Sequence, residues 1–76
     1  LKVTVEGAIT SIEVKTKDEK PVTELLLAQQ GEREQVVVRM SGKRDEDFTL
    51  FQMKEFSGRL MAWKQRDGIG MMVLAN

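Results

Sequence analysis

This chain has no cysteine, no histidine and no tyrosine, and only one proline and one tryptophan. Without cysteine there is no disulfide staple, no thiolate metal site and no thiol chemistry. Without histidine the commonest general base and the commonest metal ligand are gone, which leaves carboxylate sites for hard cations. Ser/His and Cys/His nucleophile pairs cannot be built, and Gly68-Ile69-Gly70 reads as a turn rather than a nucleotide cradle. No enzyme is expected, and no cofactor. Long apolar runs are missing as well: none approaches the roughly 18 residues of a membrane span, and no signal-peptide pattern opens the chain. The expectation is a cytoplasmic protein with no membrane partner.

Charge of one sign is also lacking. Lys+Arg and Asp+Glu number 12 each, so the net charge is zero and the pI about 6.5. A dedicated nucleic-acid binder is usually basic, so this balance counts against that role. The distribution of charge over the surface nevertheless matters more than its sum. Residues 1–76 make one domain, and a chain this short buries only about 60% of its unfolded surface. Oligomerisation, as a dimer or tetramer, is the expected supplement to so small a core. Leu1 stands where an initiator methionine would, which points to a trimmed or renumbered start. The chain stops just after an expected strand, so a further C-terminal tail stays open.

Alternation of polar and apolar residues carries most of the structural signal. From Lys2 to Ile9, Val3, Val5 and Ile9 share one face. Ile12 and Val14 continue on even numbers, so the phase slips near Thr10-Ser11, and with Gly7 this predicts a bulged, curved first strand. Lys15 to Pro21 reads as a charged turn. Further strands are expected over Val22–Gln29, Glu34–Ser41, Lys54–Gln65 and Ile69–Leu74. Phe48 to Met53 reads either as a helical turn or as a strand start. Arg66-Asp67-Gly68 is the strongest turn signal, since Asp-Gly supports two residues with positive φ. The expected fold is all-β: a five-stranded Greek-key OB-fold barrel with at most a short helical turn between strands 3 and 4.

Trp63 is the residue with the clearest chemistry. Strand parity puts Phe56, Gly58, Leu60 and Ala62 inward and Arg59, Met61, Trp63 and Gln65 outward. A flat aromatic beside Arg59, Lys64 and Arg66 is what a stacked base and its phosphates require, although the same grouping also serves as a packed strand surface. Lys15 and Lys17 on the first hairpin border the same region. Arg39 is either a groove cation or a cross-strand partner for a carboxylate. Phe48 and Phe56 are expected to fill the core, and Phe51 either to fill it or to stack. Lys43-Arg44 and Asp45-Glu46-Asp47 should neutralise one another in a solvated loop. The three acids lack the glycine-punctuated spacing of a calcium loop, so no metal site is expected. The five methionines (Met40, Met53, Met61, Met71, Met72) suit core gaps or an adaptable oligomer contact.

In order along the chain, several segments resemble the bacterial and phage single-stranded DNA-binding protein family. Val3 to Ile9 resembles its opening strand, Leu25 to Ala28 its second, and Gln35 to Lys43 its third. Phe56-Ser57-Gly58-Arg59-Leu60 resembles the hydrophobe-x-Gly-x-Leu of its fourth, followed by basic and aromatic residues and an Asp-Gly type turn. A compact member from a phage or mobile element fits, as does a primosomal replication protein, a dimeric relative of the same fold. The stretch from Lys43 to Gln52 is shorter than the family's usual helical insertion, and Met61 and Ala62 replace polar residues. The resemblance implies single-stranded DNA binding without sequence preference in replication, recombination or repair, with other proteins of those processes as further partners. The nucleic-acid contacts expected are Trp63, Arg59, Lys64, Arg66, Arg39, Lys15, Lys17 and Phe51. A barrel used for protein assembly, and RNA binding, are the alternatives.

Overall fold

The computed structural model describes residues 1–66 and 68–75, and at Ile69 the backbone alone. The Asp-Gly pair expected at the last turn is therefore half outside it, because Asp67 is not among the described residues. The chain is all-β. Five strands, β1 (Lys2–Lys17), β2 (Lys20–Ala28), β3 (Val36–Ser41), β4 (Met53–Gln65) and β5 (Gly68–Ala75), are joined with a single 3-10 turn at Asp45–Asp47. They form one sheet, hydrogen-bonded in a closed ring in the order β1-β2-β3-β5-β4. Only the β3–β5 pair is parallel. No helix among the described residues is long and apolar enough to cross a membrane.

Ring closure depends on β1, which serves two neighbours. Lys2 to Ala8 pairs with β4, and Ala8 to Lys17 pairs with β2. The expected phase slip is present as a register shift between Ile9 and Ser11. Where β1 changes partner, its backbone groups are met by the turn before β4: Ile9 N–H donates to Gln52 O at 3.0 Å, and Phe51 N–H donates to Ile9 O at 2.6 Å. The register traced around the ring, from Glu13 through Glu24, Arg39, Leu74 and Arg59, returns to β1 at Lys2. Such a stagger means strongly tilted strands, which a small closed sheet needs.

The inward residues follow parity. Ile9, Leu25, Leu27, Val38, Met40, Val73 and Ala75 are buried, and Val3, Val5, Ile12, Val36, Phe48, Phe56 and Leu60 pack against them. Gly58 faces inward, where a β-carbon would run into the carbonyl oxygen of Leu74. Glycine here lets β4 and β5 coil tightly against each other. Thr23, the one buried polar side chain among the described residues, ties β2 to the connection after β3: its Oγ1 donates to Gly42 O at 2.7 Å and accepts from Arg44 N–H at 2.8 Å.

Four expectations need correction. The charged turn over Lys15–Pro21 is a continuous hairpin whose only turn residues are Asp18 and Glu19, both with positive φ. Two residues in that conformation match the twist of the flanking strands, so pairing runs on to Lys17 and Lys20. The helical turn lies at Asp45–Asp47, before Phe48, and not within Phe48–Met53. Its acids are partly matched as expected, with Lys43 2.9 Å from Asp45 and Arg44 3.3 Å from Asp47. Phe51 is outside the core at 77% exposure, whereas Phe48 and Phe56 stand 5.6 Å apart. Ala62 is exposed rather than inward. Pairing of β5 with β3 begins only at Met72, so the outer part of the β4–β5 hairpin has no strand behind it.

Candidate nucleic-acid interface

The β4–β5 hairpin positions the aromatic residue. Trp63 pairs with Gly70 across the two strands, and Gln65 with Gly68 at the tip. Outward parity and the absence of a side chain at residue 70 let the indole settle onto β5. A β-carbon on Gly70 would lie 2.5 Å from Trp63 Cε2 and 2.6 Å from Nε1, and would also strike the Gln65 amide. Trp63 therefore covers a neighbouring strand and still presents 41% of its surface to solvent.

Beside it runs an open groove of about 830 Å³, reaching from the hairpin across β5 and β3 to the β2–β3 connection. It is lined by Trp63, Gln65 and Gly70 of the hairpin and by Glu32, Glu34 and Gln35 of the β2–β3 connection. Arg39, Glu24 and Lys15 line it as well. Of the two roles open to Arg39, the carboxylate partner is the one observed. Its Nε donates to Glu24 Oε2 at 2.8 Å, and Lys15 Nζ lies 3.2 Å from Glu24 Oε1. Burial pushes the Glu24 carboxyl up, but the hydrogen bonds from Arg39 and Lys15 outweigh it and hold the group below its ordinary value. The groove thus carries two cations and three acids, and both cations are engaged.

The remaining cations sit elsewhere. Arg59 shares the outward face of β4 with Trp63, four residues earlier, roughly 13 Å at strand spacing. Lys64 points to the opposite face of the hairpin, and Arg66 lies at its exposed tip. Lys17 is exposed at the end of the β1–β2 hairpin, paired with Lys20. Phe51 precedes the start of β4, at the other end of that strand from Trp63, and is not brought to it. The structure thus brings Arg39 and Lys15 to the groove beside Trp63, and leaves Arg59 along β4, Lys64 on the hairpin's other face and Arg66 at its tip.

Three participants were not anticipated: Gln65 and Gly70 around the indole, and Glu24 as the clamp on two cations. The first two follow from the cross-strand register that pairs Gln65 with Gly68 and Trp63 with Gly70. Glu24 was out of reach, because its meeting with Arg39 depends on the β2–β3 register across a loop with no sharp turn signal. Among the described residues no three potential ligands cluster as a metal site would require. No protein-family profile matches this chain, and no curated protein sequence matches it either.

Proposed function

We propose that this chain is an OB-type barrel that binds single-stranded DNA with little sequence preference, holding a base against Trp63. The observation that carries the reading is the half-exposed indole seated on Gly70 at the mouth of a groove. Five strands closing in the order β1-β2-β3-β5-β4, with a bulged first strand shared by two neighbours, fit the five-stranded Greek-key barrel. In that fold the β2–β3 face and the loops after β1 and β4 take oligonucleotides. The ordered likeness to the single-stranded DNA-binding family points the same way.

Charge decides how a strand would lie. Glu24, Glu32 and Glu34 line the groove and repel phosphates from it, so the bases face inward and the backbone follows the hairpin towards Arg66 at its tip. One stacked base contributes roughly 1–3 kcal/mol, and each neutralised phosphate about 0.7 in salt slope. Binding is therefore expected to be modest and only mildly salt-dependent. Replication, recombination and repair in the cytoplasm are the settings that expose such strands.

A protein-assembly role is favoured by a second observation. The register lines up Leu26, Val37, Met72 and Met61 as an apolar row across the outer faces of β2, β3, β5 and β4. Titration of Trp63 fluorescence with oligo-dT at low and then moderate salt tests between the two. Quenching that weakens with salt supports DNA binding, and competition with oligo-U then separates DNA from RNA. An unchanged spectrum at low salt refutes stacking and favours assembly.

A further inference from the structure

The outward side chains of β4 run Met53, Glu55, Ser57, Arg59, Met61. This series is complementary to its own reverse: turned end for end about Ser57, each acid meets a base and each methionine a methionine. On β1 the facing residues Lys2, Thr4 and Glu6 have the same property about Thr4. The register aligns the two centres, Thr4 opposite Ser57, with their hydroxyl oxygens 2.9 Å apart. It also sets Lys2 opposite Arg59 and Glu6 opposite Glu55.

Each end of the strip therefore carries two like charges side by side, an arrangement that destabilises a lone sheet. None of these four groups forms an ion pair among the described residues. All eight side chains are exposed, Met53 at 62% and Met61 at 44%. The β1–β4 register beneath them is unbroken from Lys2 to Ala8.

We propose that this strip is a two-fold interface with a second copy of the chain. The two-fold axis runs along the line from Thr4 to Ser57, in the plane between two facing sheets. Each strand then lies antiparallel to its own counterpart, as an isologous contact requires. Lys2 and Arg59 of one copy face Glu6 and Glu55 of the other, and Met53 packs against Met61 at both ends. Facing sheets pack about 10 Å apart at roughly 30°, a gap that Arg, Lys and Glu side chains span together. A two-fold axis parallel to the strands would set Lys2 against Arg59 and is repulsive. The contact is narrow and rich in charge, so it is transient and weakens with salt. The strip shares Arg59 with the proposed DNA contacts, but Trp63 lies outside it, so the two are read separately through Ser57 and Trp63.

Sedimentation equilibrium on the full chain at low and high salt tests this. The wild type is expected to dimerise reversibly, more weakly at high salt. The acidic variant Lys2→Glu/Arg59→Glu and the basic variant Glu6→Lys/Glu55→Lys are each expected to be monomeric, and their mixture to pair. Ser57→Glu sets a carboxylate against itself on the axis, and should weaken association by about tenfold or more. Circular dichroism verifies that each variant is folded, and oligo-dT quenching of Ser57→Glu reports on Trp63 separately. A wild type that stays monomeric at low salt overturns the proposal. So do variants that associate like the wild type, or a charge-swapped mixture that does not pair.

Discussion

The indole of Trp63 occupies the space that a β-carbon on Gly70 would need. Gly70→Ala is therefore expected to push the ring off β5. The variant should lose about 1–3 kcal/mol of stability as an overpacked contact does. Its Trp emission should move to longer wavelength, and its quenching by oligo-dT should fall. An unshifted spectrum with unchanged quenching would mean that the ring does not depend on that seat.

Phe51 combines a φ of +67° with a largely exposed ring. A non-glycine residue pays roughly 1–2 kcal/mol in that region, against the 0.5–1 kcal/mol of chain entropy that glycine adds. Phe51→Gly should therefore be as stable as the wild type, or up to about 1 kcal/mol more so, in urea unfolding. Oligo-dT affinity should not change. A marked loss of affinity would return Phe51 to the binding path.

Glu24 holds Arg39 and Lys15 together. Its carboxyl lies below the ordinary 4.5, so its contribution is complete above pH 4.5 and disappears as the pH falls through the lowered value. At neutral pH Glu24→Gln should cost about 1–2 kcal/mol, since the pair is partly exposed. Denaturation midpoints measured from pH 7 downward should converge for the two proteins in acid. A constant gap would show that the charge is not what matters.

Thr23 is the hinge pin between β2 and the 42–44 segment. Thr23→Val keeps its shape but strands the carbonyl of Gly42 and the N–H of Arg44. A cost of about 1–3 kcal/mol is expected in thermal or urea unfolding. Hydrogen exchange at the Arg44 amide should accelerate more than at Val38. Equal effects at both sites would indicate a general rather than a local loss.

Much of the ring was legible because period-two alternation is strict wherever one face is buried. Val36, Val38 and Met40, or Phe56, Gly58 and Leu60, announce their inward side, and the slip at Thr10-Ser11 announced the bulge. Parity failed at Ala62, where the strand outruns its neighbours and alternation no longer reports burial. The first turn was misread because Asp18 and Glu19 adopt positive φ without the glycine that usually signals it. Trp63 was legible as an outward aromatic. Its seat on Gly70, and Glu24 as the carboxylate that Arg39 meets, were not, because both depend on cross-strand register. Phe51 illustrates the converse: of the two roles open to it, core filling and stacking, its positive φ and exposed ring remove the first.

The parallel β3–β5 pair closes the ring with β5, which is synthesised after the other four strands, and that has a consequence during synthesis. While residues 68–75 are still to come, β3 has a free edge and β4 lacks its second neighbour. The local β1–β2 hairpin is complete far earlier, whereas Val37 must wait for Met72. An unfinished chain therefore displays open strand edges, the features most prone to pairing with other chains. The interval between the synthesis of β3 and that of β5, rather than the stability of the first hairpin, sets how long those edges stay open.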